Sequence, residues 1–228
     1  MSALNIVLRI GGSVIASPLN PWLMLEYSKI LDRLSLEGFK VLAVTGGGGL
    51  ARMFIDGAKA MKMSQESQDR VAIQASRVVA QLLAEALKPT APVMIPGRIS
   101  EASKLLKKYN VVVMGGIKPG MTTDTVAVLA AVKLGFDMLI KATDRDGIYN
   151  KDPSKHFDAS KIDNLSFEEL KNMFGRIRYK AGLKTIIDPK AAKLIAKHKI
   201  KTIVLNGFKP DNIELAVKGV KIGTLIYG

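Results

Sequence analysis

Short runs of apolar residues alternate along the chain with longer stretches in which apolar residues recur every three or four positions. The short runs have the length of β-strands and predict strands that are buried on both faces. They cover residues 4–10, 40–44, 93–95, 111–114, 138–140, 202–205 and 224–227. Alternation of such strands with helices is typical of α/β proteins, so we predict a three-layer αβα sandwich with a mostly parallel central sheet.

The helical stretches carry their own start and stop signals. Apolar residues from Val71 to Leu87 follow helical spacing and predict a core-facing helix that ends before Pro89. The sequence 166–169 has the form of a capping box. Asp188-Pro189 places an N-cap before a proline at the first helical position. We therefore expect two more helices in the last third of the chain.

Segment 144–163 lacks any periodicity and is rich in Gly, Asp, Asn, Lys and Pro, which predicts a long loop inside an ordered domain. Loops of this length are usually functional. No repeat, low-complexity tract or Ser/Gly linker divides the chain, so we expect residues 1–228 to form a single domain.

Glycine-rich turns follow three of the predicted strands, at 11–12, 46–49 and 115–116. In an open parallel sheet such turns gather at the carboxyl edge, where ligands bind. Glycine allows backbone N–H groups to approach a phosphate closely, and a following helix N-terminus adds partial positive charge. One such turn could serve packing alone, but three in one sheet favour a polyphosphate ligand.

Two common phosphate-binding motifs fit the chain poorly. No G-x-x-x-x-G-K-[ST] sequence occurs, which excludes a P-loop. Residues 46–51 match G-x-G-x-x-A, but this match follows the second strand, and no strand ending in an acidic residue comes about 20 residues later. A dinucleotide-binding Rossmann fold is therefore disfavoured.

Composition narrows the function classes further. The chain contains no cysteine, which excludes disulfide scaffolds, zinc-thiolate sites and thiol nucleophiles. Residues 1–10 lack the basic start and the cleavage pattern of a signal peptide, and no apolar run approaches the ~20 residues of a membrane span. We therefore expect a cytoplasmic protein with no membrane partner.

The net charge of +14, from 34 Lys and Arg against 20 Asp and Glu, permits polyanionic ligands without selecting one. Nucleic-acid binding would call for basic residues interleaved with aromatic ones, and aromatic residues make up only 6% of the chain. Residues 174–180 are the one such cluster. Their alternative role is a helix end or a subunit contact, so a nucleic-acid partner is disfavoured.

Four segments, taken in order, resemble the amino acid kinase superfamily. They are LRIGGS at 8–13, VTGGGG at 44–49 followed by Arg52, GGIKPGMTTD at 115–124 and KATDRDGIYNKDP at 141–153. Within the superfamily the chain is most similar to the archaeal type of uridylate (UMP) kinase, over nearly its whole length. The resemblance implies transfer of the γ-phosphoryl group of ATP to UMP, giving UDP and ADP for pyrimidine nucleotide biosynthesis.

The resemblance also implies the residues that bind the donor. The first glycine turn matches the family's cradle for the transferred phosphoryl group. Gly48 and Arg52 match residues that contact the ATP phosphates, and Tyr149 matches a residue beside the adenine. The implied ATP-binding residues are Arg9, Ile10, Gly11, Gly12, Gly48, Arg52, Thr143, Tyr149 and Asp152. Mg²⁺ is implied as the companion of ATP, with no metal site formed by protein ligands.

The acceptor site is implied in the same way. Asp69 matches the carboxylate that accepts hydrogen bonds from the UMP ribose, although an exposed helix acid is its ordinary role. The segment 116–123 matches the loop that wraps the acceptor. The implied UMP-binding residues are Gly47, Asp69, Gly116, Ile117, Lys118, Pro119, Gly120, Met121, Thr122 and Thr123. This arrangement divides the domain into an N-terminal acceptor half and a C-terminal ATP half.

The chemistry of phosphoryl transfer supports a nucleoside monophosphate as acceptor. A phosphate monoester has its second pKa near ~6, so it is already a nucleophilic dianion at neutral pH and needs no general base. The two histidines, His156 and His198, lie away from every glycine turn, in a polar loop and at a lysine-rich helix end, and we expect both to be structural. An acceptor hydroxyl would instead require a positioned base.

Such a site needs cations that neutralise the transferring phosphoryl group. Arg9, Arg52 and Lys141 are candidate catalytic cations, and Lys118 is a fourth well-placed cation. Asp124 could orient them or cap a helix. Arg9 replaces the lysine of bacterial relatives, and since arginine is a planar fork, it could clamp phosphate or point away.

Family members assemble as hexamers, so the resemblance implies a homohexamer. The alternatives left open are another phosphotransferase of the same superfamily, acting on acetylglutamate, carbamate or isopentenyl phosphate, and a nucleic-acid-binding protein. An isopentenyl phosphate kinase would be expected to carry a histidine near the second glycine turn, and none occurs there.

Overall fold

Seven strands form the central sheet of the computed structural model, which describes residues 4–174 and 186–228. The strands of the chain are β1 (Asn5–Ile10), β2 (Lys40–Thr45), β3 (Val111–Met114), β4 (Met138–Thr143), β5 (Ile148–Tyr149), β6 (Lys161–Ile162), β7 (Asn164–Ser166), β8 (Thr202–Asn206) and β9 (Thr224–Tyr227). The sheet order is β3-β2-β1-β4-β8-β9-β7. Within this sheet, as far as the structure describes it, only the β8–β9 pair is antiparallel, so the predicted, mostly parallel sheet is confirmed.

Helices cover both faces of this sheet. They are α1 (Gly12–Ile15), α2 (Pro21–Leu36), α3 (Gly48–Ala60), α4 (Gln65–Ala86), α5 (Ile99–Leu105), α6 (Thr123–Leu134), α7 (Phe167–Phe174), α8 (Pro189–His198) and α9 (Asp211–Val217). One apolar core lies between the sheet and α1, α2, α4 and α9. A second lies between the sheet and α5, α6, α7 and α8, which confirms the αβα layering. Within the described residues, no helix is both long enough and apolar enough to cross a bilayer.

Alternation along the strands decides which layer each side chain enters. In β1, Ile6 and Leu8 point into the first core and Val7 into the second. Arg9 is two residues after Val7, so it lies on the α6 side of the sheet. By the same alternation Lys141 follows Leu139 onto that side from β4. The parallel register then sets Arg9 directly opposite Lys141.

The predicted strand at 93–95 is wrong, because this segment is a loop between α4 and α5. Pro92 and Pro96 flank it, and proline cannot donate to a strand ladder. The side chains of Val93 and Met94 are exposed. Side chains of α4 hold the loop instead, since Gln81 Nε2 donates to the Val93 carbonyl at 2.8 Å.

The helix signals are confirmed, and the predicted loop at 144–163 contains a short β-hairpin. The helix predicted at 71–87 is the C-terminal part of α4, which ends at Ala86 with Leu87 as its C-cap. Ser166 and Glu169 exchange capping hydrogen bonds at the start of α7, and Asp188 caps α8. Within 144–163, β5 and β6 pair as a short antiparallel hairpin. The buried hydroxyl of Thr224 anchors this hairpin, because it accepts from the Ile148 amide at 2.7 Å and donates to the Ile162 carbonyl at 2.5 Å.

Candidate active site

The glycine turns after β1 and β2 are packed directly against each other. A Cβ built on Gly12 would lie 2.1 Å from the Gly48 nitrogen, and one on Gly48 would lie 2.1 Å from the Gly12 oxygen. Gly48 also has a φ of +55°, which favours glycine. No side chain fits at either position. Since β3 is the neighbour of β2, the third turn, at Gly115, lies at the same edge, and the predicted gathering of the three turns is confirmed.

The Arg9 guanidinium lies along two of these turns. A Cβ on Gly11 would be 3.2 Å from its Nη1, and a Cβ on Gly46 would be 3.2 Å from its Nη2. Arg9 Nη2 also donates to the Thr123 hydroxyl at 3.0 Å. The guanidinium therefore points toward the glycine turns and the start of α6, which resolves the two orientations that the sequence left open.

Asp124 joins the two strand cations into one cluster. Its Oδ1 lies 2.5 Å from Arg9 Nε and accepts a hydrogen bond from Lys141 Nζ at 2.6 Å. Asp124 and Lys141 are buried, with 8% and 6% of their surface exposed. A buried charge persists only when it is paired, and here two cations share one carboxylate. The cluster thus carries an excess positive charge beside the glycine turns.

Burial and charge act on the two partners in opposite ways. Burial, together with the neighbouring Arg9 charge, lowers the pKa of Lys141 to about 8 against the opposing influence of Asp124. Burial would raise the pKa of Asp124, but Arg9 and Lys141 outweigh it and hold the pKa below its ordinary value. The apolar side chains of Ala127, Val128 and Leu139 line a small cavity beside the cluster.

Asp124 does not cap α6. Thr122 is the N-cap residue, and its hydroxyl accepts from the Thr125 amide at 3.1 Å. Of the two roles left open by the sequence, the structure therefore favours orientation of the cations.

The sequence analysis did not predict a further contact of this turn. Asp188, the cap of α8, accepts hydrogen bonds from the hydroxyls of Thr122 and Thr125. Its only signal was the Asp-Pro pair, which indicates a cap and nothing more.

The segment 116–123 forms a loop that is attached to α4. The Gly116 amide donates to the Ser76 hydroxyl at 2.8 Å, and the Gly120 amide donates to Asp69 Oδ2 at 2.8 Å. Gly120 has a φ of +73°, a conformation that glycine adopts without strain. Asp69 is half-buried, and through its hydrogen bond with Gly120 it anchors the loop to α4. Ile117, Pro119 and Met121 are half-buried in the same loop, and Lys118 is exposed.

Arg52 lies on the other side of the glycine turns, on the exposed surface of α3. Its Nη2 donates to the Ser17 hydroxyl at 3.0 Å, and that hydroxyl donates to the Gly12 carbonyl at 3.1 Å. Gly47 is buried, with its Cα facing Ala51 and Ser76. The structure thus sets Arg52 at the turns but outside the Arg9–Asp124–Lys141 cluster.

Three of the predicted ATP residues lie at the carboxyl end of β4 and in the loop that follows it. Thr143 is buried at the end of β4, Tyr149 is half-buried in β5, and Asp152 is exposed. Hydrogen bonds from the amide and hydroxyl of Ser154 hold the pKa of Asp152 below its ordinary value. The sequence missed a link between this loop and β8, in which Asn206 Nδ2 donates to Asp146 Oδ1 at 2.9 Å.

In the part of the chain that the structure describes, no three His, Asp or Glu side chains converge on a possible metal position. Asp124 is the carboxylate of the cluster, and both of its ion-pair partners are cations. The donor set therefore suits a metal ion that arrives on the phosphates of its nucleotide. The basic and aromatic cluster at 174–180 lies outside the described residues beyond Phe174.

Comparison with known proteins identifies the family of the chain. The sequence model of the amino acid kinase family matches residues 5–206, and the chain belongs to this family. Within it, the chain is similar to archaeal uridylate kinases. It is 42% identical over 209 residues to that of Methanosarcina barkeri, covering 92% of this chain and 89% of the relative. It is 40% identical over 223 residues to that of Archaeoglobus fulgidus, covering 98% and 100%.

Solved structures give the same fold. The crystal structure of uridylate kinase from Archaeoglobus fulgidus superposes with a TM-score of 0.88 at 40% identity and covers 97% of this chain and 99% of that one. The UMP kinase from Bacillus anthracis superposes with a TM-score of 0.79 at 19% identity and covers 98% and 95%. At that lower identity the likeness shows the fold alone.

Proposed function

We propose that the chain is a UMP kinase, which transfers the γ-phosphoryl group of ATP to UMP and yields UDP and ADP. The observation that carries the proposal is the buried Arg9–Asp124–Lys141 cluster beside the packed glycine turns. UMP as the acceptor is supported by the similarity, over nearly the full length, to archaeal proteins named uridylate kinase. Pyrimidine nucleotide synthesis is the process that such an activity serves.

In the proposed reaction an oxygen of the UMP phosphate attacks the γ-phosphorus of ATP. A bond forms between that oxygen and the γ-phosphorus, the bond from the γ-phosphorus to the bridging oxygen breaks, and ADP leaves with that oxygen. UMP attacks as a dianion, so no proton has to be removed. The exposed positions of His156 and His198, in the 144–163 loop and at the end of α8, agree with a site that needs no histidine base.

Arg9 and Lys141 supply the positive charge that this transfer requires. The γ-phosphoryl oxygens carry negative charge throughout the reaction, and fixed cations in a desolvated site stabilise them without reorganising. Asp124 holds both cations in place before substrate binds. Backbone N–H groups at Gly12 and Gly48 complete the proposed cradle. The Gly11 amide already donates to the Ala142 carbonyl at 2.9 Å, so it fixes the turn instead.

The two substrates are proposed to occupy the two halves of one domain. ATP would contact Arg9 to Gly12, Gly48, Arg52, Thr143, Tyr149 and Asp152. UMP would contact Gly47, Asp69 and residues 116–123, with Asp69 facing the ribose. Support comes from the loops at the carboxyl edge, because the 116–123 loop follows β3 and the 144–163 loop follows β4.

Mg²⁺ is proposed to enter with ATP and to neutralise phosphate charge when bound. Mg²⁺ keeps several waters and is commonly held by substrate phosphates with one or two carboxylates. Asp152, exposed in the ATP-site loop, is available to an incoming nucleotide, whereas Asp124 is already shared by two cations.

A homohexamer in the cytoplasm completes the proposal. Exposed apolar side chains on α3 and α4 support assembly, since Met53, Phe54, Met61, Val78 and Leu82 are 44% to 70% exposed. The two helices pack on each other, so these side chains belong to one region of the surface. Apolar surface of this kind marks interfaces between proteins.

An acceptor panel tests the proposal. ADP release from Mg·ATP would be measured with UMP, CMP, dUMP, N-acetylglutamate, carbamate and isopentenyl phosphate as separate acceptors. We expect turnover confined to UMP or far faster with it. Faster turnover with a different acceptor would contradict the assignment of UMP as the substrate. The function would then be that of another branch of the family, with the same fold and donor site.

A further inference from the structure

Asp188 is a buried carboxylate that joins α8 to the beginning of α6, with only 7% of its surface exposed. Its Oδ1 accepts hydrogen bonds from the amides of Lys190 and Ala191, both at 2.9 Å, and so caps α8. Its Oδ2 accepts from the Thr122 hydroxyl and, at 3.2 Å, from the Thr125 hydroxyl. A cap alone would need only the first pair of contacts.

The turn that Asp188 holds carries the contacts to the cation cluster. Thr122 caps α6, the Thr123 hydroxyl accepts from Arg9, and Asp124 pairs with both Arg9 and Lys141. Three consecutive residues thus connect Asp188 to the two cations. A shift of this turn would move Asp124 relative to both strands.

Asp188 also acts on the cluster through its charge, although Asp124 alone forms ion pairs with Arg9 and Lys141. Burial lowers the pKa of Lys141, and the negative charge of Asp188 is one of the influences that oppose it. Removal of that charge is expected to lower the pKa of Lys141 further.

We infer that Asp188 is a positioning residue for phosphoryl transfer: through the hydroxyls of Thr122 and Thr125 it fixes the turn from which Asp124 aligns Arg9 and Lys141. The inference rests on the proposed kinase function and adds a residue that lies behind the cluster, on α8. Capping α8 holds the carboxylate of Asp188 in place, and positioning the start of α6 is the function that we assign to it.

Asp188→Asn tests the inference, because asparagine has the same size and is an equally good N-cap, yet it lacks the charge. We expect kcat to fall about tenfold or more, since a displacement of ~1 Å in an active site can cost ~100-fold. We expect the KM for ATP to stay within about twofold. The alkaline limb of the kcat/KM profile should move to lower pH, which loss of a helix cap would not cause.

Asn20→Ala is the matched control. Asn20 caps α2 through the Leu23 amide at 3.0 Å and is followed by a proline, as Asp188 is, but it lies outside the cluster. It should lower Tm and leave kcat unchanged. An Asp188→Asn enzyme with a lower Tm, an unchanged kcat and the wild-type alkaline limb would overturn the inference.

Thr125→Val provides a second variant should Asp188→Asn fail to fold. It removes one hydroxyl from Asp188 and preserves the carboxylate and the cap of α8. We expect a smaller fall in kcat and no shift of the alkaline limb, whereas a wild-type kcat would overturn the inference. The kcat of each variant is compared with that of the wild-type enzyme, using whichever acceptor the wild type phosphorylates. Failure of the wild type to phosphorylate UMP would therefore count against the UMP kinase proposal and not against the role of Asp188.

Discussion

Arg9 and Lys141 lie opposite each other on adjacent parallel strands, and both contact the same oxygen of Asp124. This arrangement follows from strand alternation, which directs both side chains toward α6. Two cations that share one carboxylate leave positive charge for an incoming phosphoryl group. The pairing also makes the site sensitive to pH and to the loss of any single member.

The first prediction concerns pH. Lys141 has a pKa of about 8, so it is cationic below that pH and neutral above it. The second pKa of a phosphate monoester is ~6, so UMP loses its dianionic form below that value. We expect kcat/KM for UMP to be highest between these limits and to fall on both sides, because it reports the free enzyme and free substrate.

The alkaline limb separates this explanation from general alkaline denaturation. Bound phosphates favour the charged form of Lys141, so the limb of kcat should lie at higher pH than the limb of kcat/KM. Circular dichroism at each pH would monitor folding. Coincident limbs, or a limb that follows unfolding, would contradict the role given to Lys141.

The second prediction concerns Asp124. Asp124→Asn removes the carboxylate and leaves the buried Lys141 and the half-buried Arg9 without their shared counter-charge. Loss of one partner from a buried ion pair costs about 3–5 kcal/mol, and we expect the free energy of unfolding to fall by that order. Urea denaturation measures it. Asp158→Asn, which removes the exposed partner of Lys151, should leave the free energy of unfolding nearly unchanged.

The third prediction concerns Asp69, which accepts a hydrogen bond from the Gly120 amide. Asp69→Ala should raise the KM for UMP about tenfold or more, because hydrogen bonds to charged groups contribute ~1.5–3 kcal/mol. The KM for ATP should change little. The preference for UMP over dUMP should also decrease if the carboxylate contacts the ribose.

Asp69→Asn separates the role of Asp69 as an anchor of the loop from its role as a contact of UMP. Its amide oxygen can still accept from Gly120, so the loop should remain attached while the charge is lost. An alanine variant with wild-type KM for UMP and an unchanged preference over dUMP would exclude Asp69 from the acceptor site.

The fourth prediction concerns assembly. Phe54→Asp places a charge within the exposed apolar side chains of α3. We expect a lower mass by size-exclusion chromatography with light scattering, with secondary structure preserved. Val220→Asp alters an exposed apolar residue outside α3 and α4 and should keep the wild-type mass. A wild-type protein that is monomeric at all concentrations would contradict the proposed hexamer.

Strands and glycine turns were accessible from the sequence because their signals are local. The uninterrupted apolar run at 111–114 and the turns after β1 and β2 need only neighbouring residues to be recognised. The segment 93–95 misled because its apolar residues are as dense as those of a strand. The flanking Pro92 and Pro96 were the signal against it.

The charge cluster was less accessible because sheet order creates it. Arg9 meets Thr123 across 114 positions, and Thr122 meets Asp188 across 66. The first contact depends on β1 lying beside β4 with α6 packed over it, and the second on the packing of α6 against α8, which no local pattern specifies. The resemblance brought Arg9, Lys141 and Asp124 together as candidates, but it could not indicate that one carboxylate oxygen serves both cations. The roles of the individual residues toward ATP and UMP stay predictions.

Transfer of a labelled phosphoryl group tests the central claim most directly. The protein would be incubated with [γ-³²P]ATP, Mg²⁺ and UMP, and the nucleotides would be separated by chromatography. The UMP kinase account predicts that the label appears in UDP, at its β-phosphate, and that Lys141→Met abolishes most of this transfer. Label that remains in ATP or appears only as inorganic phosphate would contradict the account.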